Sequence, residues 1–366
     1  MGLMPTPRSV DIEFTSKCNA RCLYCYYMGN EGVRYEDIPI ARWLDFIDEL
    51  GRAQVMRMCI SGGEALVREE IGELIAAIVR NRMRFQLLTN GQLVTPEVAR
   101  MLRETGRCDS VQVSLDGSRP EAHDCVRGEG SFEAALRAIH TLVAAQVPTT
   151  VRVTIHPDNI DDLPAVAELL LEEIGLPSFS TNAVSSLGTQ SKYACGIFLT
   201  PSQRLRAMKA LAELEAKYPN RIEASAGPLA EWRMFHEMEA HRLSGEPIPG
   251  RGFLVACGCV FERIAVRADG AYVPCCMLPQ MVLGYVGSDD LSDIWRNAQA
   301  MRAVRERRKI PLDSFEECQG CEYIPYCTGN CPGTASSLTG DPNRPSPEGC
   351  LRRWKLALEQ EGLSPW

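Results

Sequence analysis

From residue 10 to residue 217 the chain alternates short apolar runs with helix-period segments, six times over. The strand-like runs are Val10–Thr15, Arg57–Ser61, Phe85–Asn90, Ser110–Leu115, Thr149–Ile155 and Phe179–Val184. They are short and often β-branched, as buried parallel strands tend to be. Helical periodicity fills Ile40–Leu50, Glu70–Arg80, Pro96–Glu104, Phe132–Ala145, Leu163–Glu173 and Gln203–Lys217. Thr95-Pro96 and Thr200-Pro201 each read as an N-cap followed by proline at the first helical position. Successive β/α units build a parallel sheet with right-handed crossovers. Eight such units close a barrel. Six predict an α/β chain with an open, partial (β/α)6 barrel of the TIM type, whose ligand chemistry sits at the C-terminal ends of the strands.

The pattern changes near residue 218, which divides the chain into a barrel (1–217), a bridging segment (218–252) and a Cys-rich C-terminal domain (253–366). The bridge is partly helical (Glu231–Leu243) and ends in the loop Pro247–Gly252. The last part reads as short strands and turns, with helical patterns at Leu291–Arg305 and Leu351–Glu361. Of 16 cysteines, three lie within residues 18–25 and nine between 257 and 350. No signal peptide and no apolar run long enough to span a bilayer is visible, so the expected location is the cytoplasm. Clustered cysteines in that setting are metal or cluster ligands rather than disulfides. A net charge of −8 argues against nucleic acid or a membrane surface as the main partner.

Directly after the first strand stands Cys18-Asn-Ala-Arg-Cys22-Leu-Tyr-Cys25, a C-x3-C-x2-C loop. Three thiolates can hold three irons of a [4Fe–4S] cluster and leave the fourth iron open, the mark of a catalytic rather than a structural centre. A zinc site completed by a distant ligand would use the same three thiolates. The loop, with Tyr24 before its third cysteine, resembles the signature of radical S-adenosylmethionine (SAM) enzymes. That resemblance implies reductive cleavage of SAM to a 5′-deoxyadenosyl radical. It also assigns SAM-binding roles to Gly62, Gly63 and Glu64 after the second strand, and to Asn90 after the third. Ser114, Asp116 and Arg127 match further family positions around SAM. The glycines suit close backbone approach and the acid suits an amine; Asn-Gly and Asp-Gly are equally turn formers. Arg152, among apolar neighbours in the fifth strand, needs a partner and is placed in the cavity.

The C-terminal cysteines run Cys257, Cys259, Cys275, Cys276, Cys318, Cys321, Cys327, Cys331 and Cys350. On spacing alone this is a pair of zinc-ribbon sites or a pair of iron–sulfur sites. Gly270-Ala-Tyr-Val-Pro-Cys275 and the C-x2-C-x5-C-x3-C run from Cys318 resemble the SPASM extension of radical SAM proteins. The resemblance implies two auxiliary [4Fe–4S] clusters, one held by Cys257, Cys259, Cys275 and Cys331, the other by Cys318, Cys321, Cys327 and Cys350. The tight Cys257/Cys259 spacing departs from the pattern. It allows one of the pair to stand free and the first cluster to keep an open iron, with Cys276 a substitute for Cys275. Cys59, Cys108 and Cys125 read as small buried apolar residues. Cys276 and Cys195 are candidate thiol hydrogen donors to a substrate radical.

The segments Cys108–Gly117, Ala224–Ala230 and Cys321–Cys331 resemble SPASM proteins of SynChlorMet-type cassettes. That implies a ribosomally made peptide substrate. Sulfatase-maturing enzymes are similar in cysteine order but carry a catalytic Asp where this chain has Cys276. A radical SAM dehydrogenase or epimerase acting on a sugar or haem precursor would share the cluster motifs. A non-catalytic iron–sulfur or zinc scaffold would share the cysteines but has no use for Gly62-Gly63-Glu64. Because the first strand begins by residue 10, a fused leader-binding module is not expected. The implied partners are a separate PqqD-like protein and a flavodoxin- or ferredoxin-type reductant.

Overall fold

The computed structural model describes residues 3–25, 35–187 and 196–365. Six parallel strands, β1 (Ser9–Glu13), β2 (Arg57–Ser61), β3 (Arg84–Thr89), β4 (Cys108–Ser114), β5 (Thr149–Ile155) and β6 (Phe179–Ala183), form the barrel wall in sequence order. Between them run α1 (Ile40–Arg52), α2 (Ile71–Arg80), α3 (Pro96–Glu104), α4 (Pro120–Arg127), α5 (Ser131–Ala144) and α6 (Leu163–Glu168). Thr95 caps α3 by accepting from the Val98 amide at 3.3 Å. Thr200 and Gln203 form a reciprocal capping box at the start of the Pro201–Lys217 helix.

Each strand has an apolar outer face and a polar inner one. Val10, Ile12 and Phe14 pack with Trp43, Phe46 and Ile47 of α1 in the main core, as Val111, Val113, Val151 and Val153 pack with Ile139 and Leu142 of α5. The alternate residues of β1, β4 and β5 are Asp11, Glu13, Gln112 and Arg152. Buried parallel strands are expected to be apolar on both faces. Here period-2 alternation wins because only the outer face meets helices, while the inner face lines the barrel interior.

Four features depart from the sequence reading. A seventh parallel strand, β7 (Ile222–Ala224), lies inside the bridging segment and pairs with β6. At the other edge β8 (Arg263–Val266), from the Cys-rich region, pairs in parallel with β1. The antiparallel strands β9 (Ala271–Val273) and β10 (Gly284–Tyr285) then complete a ten-stranded sheet. The Cys-rich region thus continues the barrel sheet. The third departure is α4, a helix absent from the sequence reading. Its signals are Pro120 at the first helical position and Glu121 in the first turn. The Leu291–Arg305 pattern is two helices, Leu291–Asn297 and Gln299–Glu306, broken at Ala298. The break lets Trp295 and Met301 both reach the core. Among the described residues no helix is long and apolar enough to cross a membrane.

Candidate functional site

The three-cysteine loop leaves the C-terminal end of β1 and is fastened on two sides. On one side lies Gly62-Gly63-Glu64, after β2. The Gly63 amide donates to the Thr15 carbonyl and the Glu64 amide to the Lys17 carbonyl, both at 2.9 Å. A Cβ on Gly62, whose φ is +130°, would sit 2.4 Å from the Thr15 carbonyl oxygen, and one on Gly63 2.1 Å from that of Lys17. Glycine is therefore required for the two backbones to touch. On the other side lies α4: the Leu23 amide donates to the Val126 carbonyl at 2.9 Å.

Glu64 is buried and its carboxylate binds the protein itself. It accepts from Thr89 Oγ1 (2.9 Å), the Asn90 amide (2.7 Å) and the Leu66 amide (3.3 Å), tying the ends of β2 and β3 together. Burial raises its pKa, and these hydrogen bonds work against the rise. Asn90 stands beside the loop, with its Nδ2 2.8 Å from Asn19 Oδ1 and 4.0 Å from Cys18 Sγ.

Asp116 is the hub under the loop and is fully buried. Its carboxylate accepts from the Tyr24 hydroxyl, from Arg127 Nε (2.5 Å) and from the Thr154 amide (2.8 Å). Its own amide donates to His123 Nδ1 at 2.9 Å. Burial raises the Asp116 pKa, but the Arg127 guanidinium and the hydrogen bonds outweigh it and hold the group below the usual value. Tyr24 of the three-cysteine signature is thus engaged with Asp116 and Arg127, the two residues that the resemblance placed around SAM. Arg127 also reaches Cys22 Sγ at 4.0 Å. Ser114 faces inward opposite Arg152 in the β4–β5 register. Arg152 binds only the Gln112 amide oxygen, at 3.2 and 3.3 Å, and no carboxylate lies within 4 Å among the described residues. Burial lowers its pKa.

Cys18, Cys22 and Cys25 are all half-buried and free of disulfides. The Cys18 and Cys22 thiols are pushed up first by burial, Cys22 to about 11, and both also by repulsion from Cys25. N–H groups surround the sulfurs: the Ala20 amide is 3.4 Å from Cys18 Sγ, and Asn90 and Arg127 approach as above. Donors to ligating sulfur are what a bound iron–sulfur cluster uses.

The C-terminal cysteines gather in two fours. Cys257 hydrogen-bonds with Cys259, which lowers the Cys257 pKa and raises that of Cys259. Cys275, pushed to about 12 by burial, feels both Cys331 and Cys257. Cys318 feels Cys327, Cys350 and Cys321. Among the described residues no three cysteine sulfurs lie within 4.8 Å of one another. A tetrahedral zinc site would place them about 3.8 Å apart, given Zn–S bonds of ~2.3 Å.

Cys276 is half-buried, and its electrostatic neighbours are Glu13, Asp11 and Cys59 of the barrel together with Cys275, whereas Cys275 has Cys331, Cys257 and Asp11. Burial pushes the Cys276 thiol well above the ordinary value. Cys195 lies outside the described residues. Cys108 is buried as expected, Cys59 only partly, and Cys125 is exposed on α4, against expectation. Its position depends on the helix that the sequence reading missed.

Arg307 was also missed, for want of any motif. It is fully buried and donates to the carbonyls of Pro342 (2.6 Å), Asn330 (3.1 Å), Arg344 (2.8 Å) and Val255. Cys331 and Cys257 lie near enough to stabilise its charge, although burial lowers its pKa to about 10. A cavity of about 430 Å³ opens beside this cluster set, lined by Asn182, Val184, Gly227, Met234, Met277 and Cys331 among others. A second, of about 270 Å³, shares Ala183, Val184 and Glu348 with it.

Residues 12–170 match the radical SAM superfamily, and residues 257–322 match the SPASM iron–sulfur cluster-binding domain. AdoMet-dependent heme synthase of Methanosarcina barkeri is 28% identical over 348 residues, 93% of this chain and 95% of that protein. Mycofactocin maturase MftC of Mycolicibacterium smegmatis is 28% identical over 380 residues, 99% of this chain and 87% of that one. Among solved structures, Streptococcus suis SuiB bound to its precursor peptide SuiA has a TM-score of 0.71 at 14% identity, over 95% of this chain and 77% of that one.

Proposed function

Since this chain joins a radical SAM domain to a SPASM iron–sulfur domain, we propose that it modifies a ribosomally made peptide by radical chemistry. A radical SAM domain binds a [4Fe–4S] cluster and SAM, and a SPASM domain binds auxiliary iron–sulfur clusters. With these bound, the chemistry supplied is reductive cleavage of SAM to a 5′-deoxyadenosyl radical that takes a hydrogen atom from the substrate.

The chain's own residues are assigned as follows. Cys18, Cys22 and Cys25 would hold the first cluster. Gly62 and Gly63 bring backbone against its loop. Asn90, Ser114 and Arg152 are the groups offered to SAM. Glu64, Tyr24, Asp116 and Arg127 position that site through the hydrogen bonds above. Cys257, Cys259, Cys275 and Cys331 would hold one auxiliary cluster, and Cys318, Cys321, Cys327 and Cys350 the other. Cys276, with Glu13, Asp11 and Cys59 of the barrel among its neighbours, is the candidate hydrogen donor. The domain limits are those read from the sequence, with β7 and β8 joining bridge and Cys-rich region to the barrel sheet.

The observation that carries the peptide reading is the pair of adjoining cavities between β6, the helix Pro228–Ser244 and the Cys-rich loops. Their lining is mainly apolar. The acidic groups there, among the described residues, are Glu231, which is bound by Arg204, and the partly buried Glu348. A tetrapyrrole carries several carboxylates and would need free cations in their place. The heme synthase similarity keeps that second reading in view; the acidic lining weighs against it. MftC is named for maturing mycofactocin and SuiB was solved with a precursor peptide, which supports a peptide substrate.

The reading extends to a separate PqqD-like leader-binding partner and a flavodoxin- or ferredoxin-type reductant. The test is anaerobic reconstitution, then SAM and dithionite with a short peptide encoded beside the gene or with an iron-porphyrin. About twelve irons per chain are expected, with 5′-deoxyadenosine formed and a mass change in the peptide. A change in the porphyrin alone transfers the chain to the second reading. No 5′-deoxyadenosine from iron-loaded protein overturns both.

A further inference from the structure

Helix α4 packs against the turn Pro157–Asp162 that follows β5. Three side chains meet at this seam: Cys125 from α4, His156 from the end of β5, and Asp158 from the turn. One ligand atom of each lies within 4.8 Å of the other two. His156 Nδ1 is 3.8 Å from Asp158 Oδ2.

The imidazole is the informative member. It is fully buried, and neither ring nitrogen has a hydrogen-bond partner. The backbone around it is satisfied: the Asn159 amide donates to the His156 carbonyl, and the His156 amide to Asn159 Oδ1. Buried imidazoles normally find a partner, and this one turns toward a carboxylate and a thiol. Cys125 and Asp158 are exposed, so they give an ion a route in. The Cys125 thiol makes only a long contact to the Ala122 carbonyl, at 3.6 Å.

We propose that Cys125, His156 and Asp158 form a zinc site, distinct from the iron–sulfur ligands, with solvent in the fourth position. One thiolate, one imidazole and one carboxylate select a borderline ion over magnesium or calcium, which take oxygen ligands. Zinc bonds of about 2.0–2.3 Å set tetrahedral ligand atoms roughly 3.3–3.6 Å apart. The His156–Asp158 pair is already near that spacing, and the exposed Cys125 side chain can turn to close the rest.

The consequence reaches the cofactor site. Helix α4 supplies His123 and Arg127, and β5 supplies the Thr154 amide, all of which hold Asp116. An ion bridging α4 to the end of β5 pins these two elements together. It acts as a positioning device, whatever the substrate.

The test uses the full chain, loaded anaerobically with iron and sulfide so that the cluster cysteines are occupied, then exposed to zinc chloride and desalted. One zinc per chain is expected, with zinc-edge X-ray absorption showing one sulfur, one nitrogen and oxygen neighbours. Cys125→Ser and Asp158→Asn change exposed residues. Each is expected to weaken zinc binding by about tenfold or more in competition with a chromophoric chelator, with iron content unchanged. Zinc bound only through sulfur, no zinc on iron-loaded protein, or equal affinity in Cys125→Ser would each overturn the assignment.

Discussion

Asp116→Asn isolates the electrostatic hub beneath the three-cysteine loop. The substitution keeps the side chain's shape and removes its charge. Asp116 is fully buried, and the Arg127 side chain is 9% exposed. Among the described residues Asp116 is the one carboxylate that Arg127 contacts. Losing one member of a buried pair costs roughly 3–5 kcal/mol, because the other charge is stranded. An exposed pair would cost only about 0.2–1 kcal/mol. The amide NH2 of the variant would also face donors, since Tyr24, Arg127 and the Thr154 amide all give protons to the present carboxylate. The expected loss is therefore about 3–5 kcal/mol. Urea unfolding of the wild type, Asp116→Asn, Arg127→Met and the double variant measures it. The double variant removes both charges, so it should cost about 2 kcal/mol less than the sum of the singles. A single-variant loss under about 1 kcal/mol, or additivity within about 0.5 kcal/mol, would refute the hub.

Three further outcomes follow from the geometry. Gly63→Ala forces a Cβ against the Lys17 carbonyl and should lower iron by about four per chain, whereas Gly72→Ala, with open space around it, should leave iron unchanged; iron analysis of both decides. Arg307→Met removes a buried cation next to Cys257 and Cys331 and should move an auxiliary cluster to a more negative reduction potential; an unchanged potential in an EPR-monitored titration would count against that pairing. Glu239 is held below its usual pKa, first by Arg242 and also by Tyr323 and Lys355. Its contribution is therefore fully present above the ordinary carboxylate value near 4.5 and is lost as pH falls through the lower folded value. Glu239→Gln should flatten the acid limb of the stability curve, and identical acid limbs would exclude the assignment.

Much of the barrel was legible because its signals are local. Val10–Thr15 and Thr149–Ile155 announce strands by β-branching, and Thr95-Pro96 announces a helix start by its cap. The cysteine loop and Gly62-Gly63-Glu64 were legible for a similar reason: ligand count and close backbone approach restrict residue type at fixed spacing. α4 was missed because eight residues with mixed polarity give a weak periodic signal beside the Asp116-Gly117 turn. Missing it placed Cys125 in the interior and hid its meeting with His156.

The amino-acid order by itself determined the six β/α units and the open three-thiol loop, since each is written in spacing along the chain, while the division of the later cysteines into two sets came from the family resemblance. Only the tertiary structure decided which partners the buried charges take. It turned Asp116, Tyr24 and Arg127 toward one another and placed Arg307 beside Cys257 and Cys331. Tyr24 and Asp116 stand 92 positions apart in the chain, and Asp116 and Arg127 stand 11 apart. Their geometry is set by how helices and loops pack over the strand ends. A buried charge is stable only where folding brings a counter-charge or donors to it, and spacing along the chain does not encode that meeting.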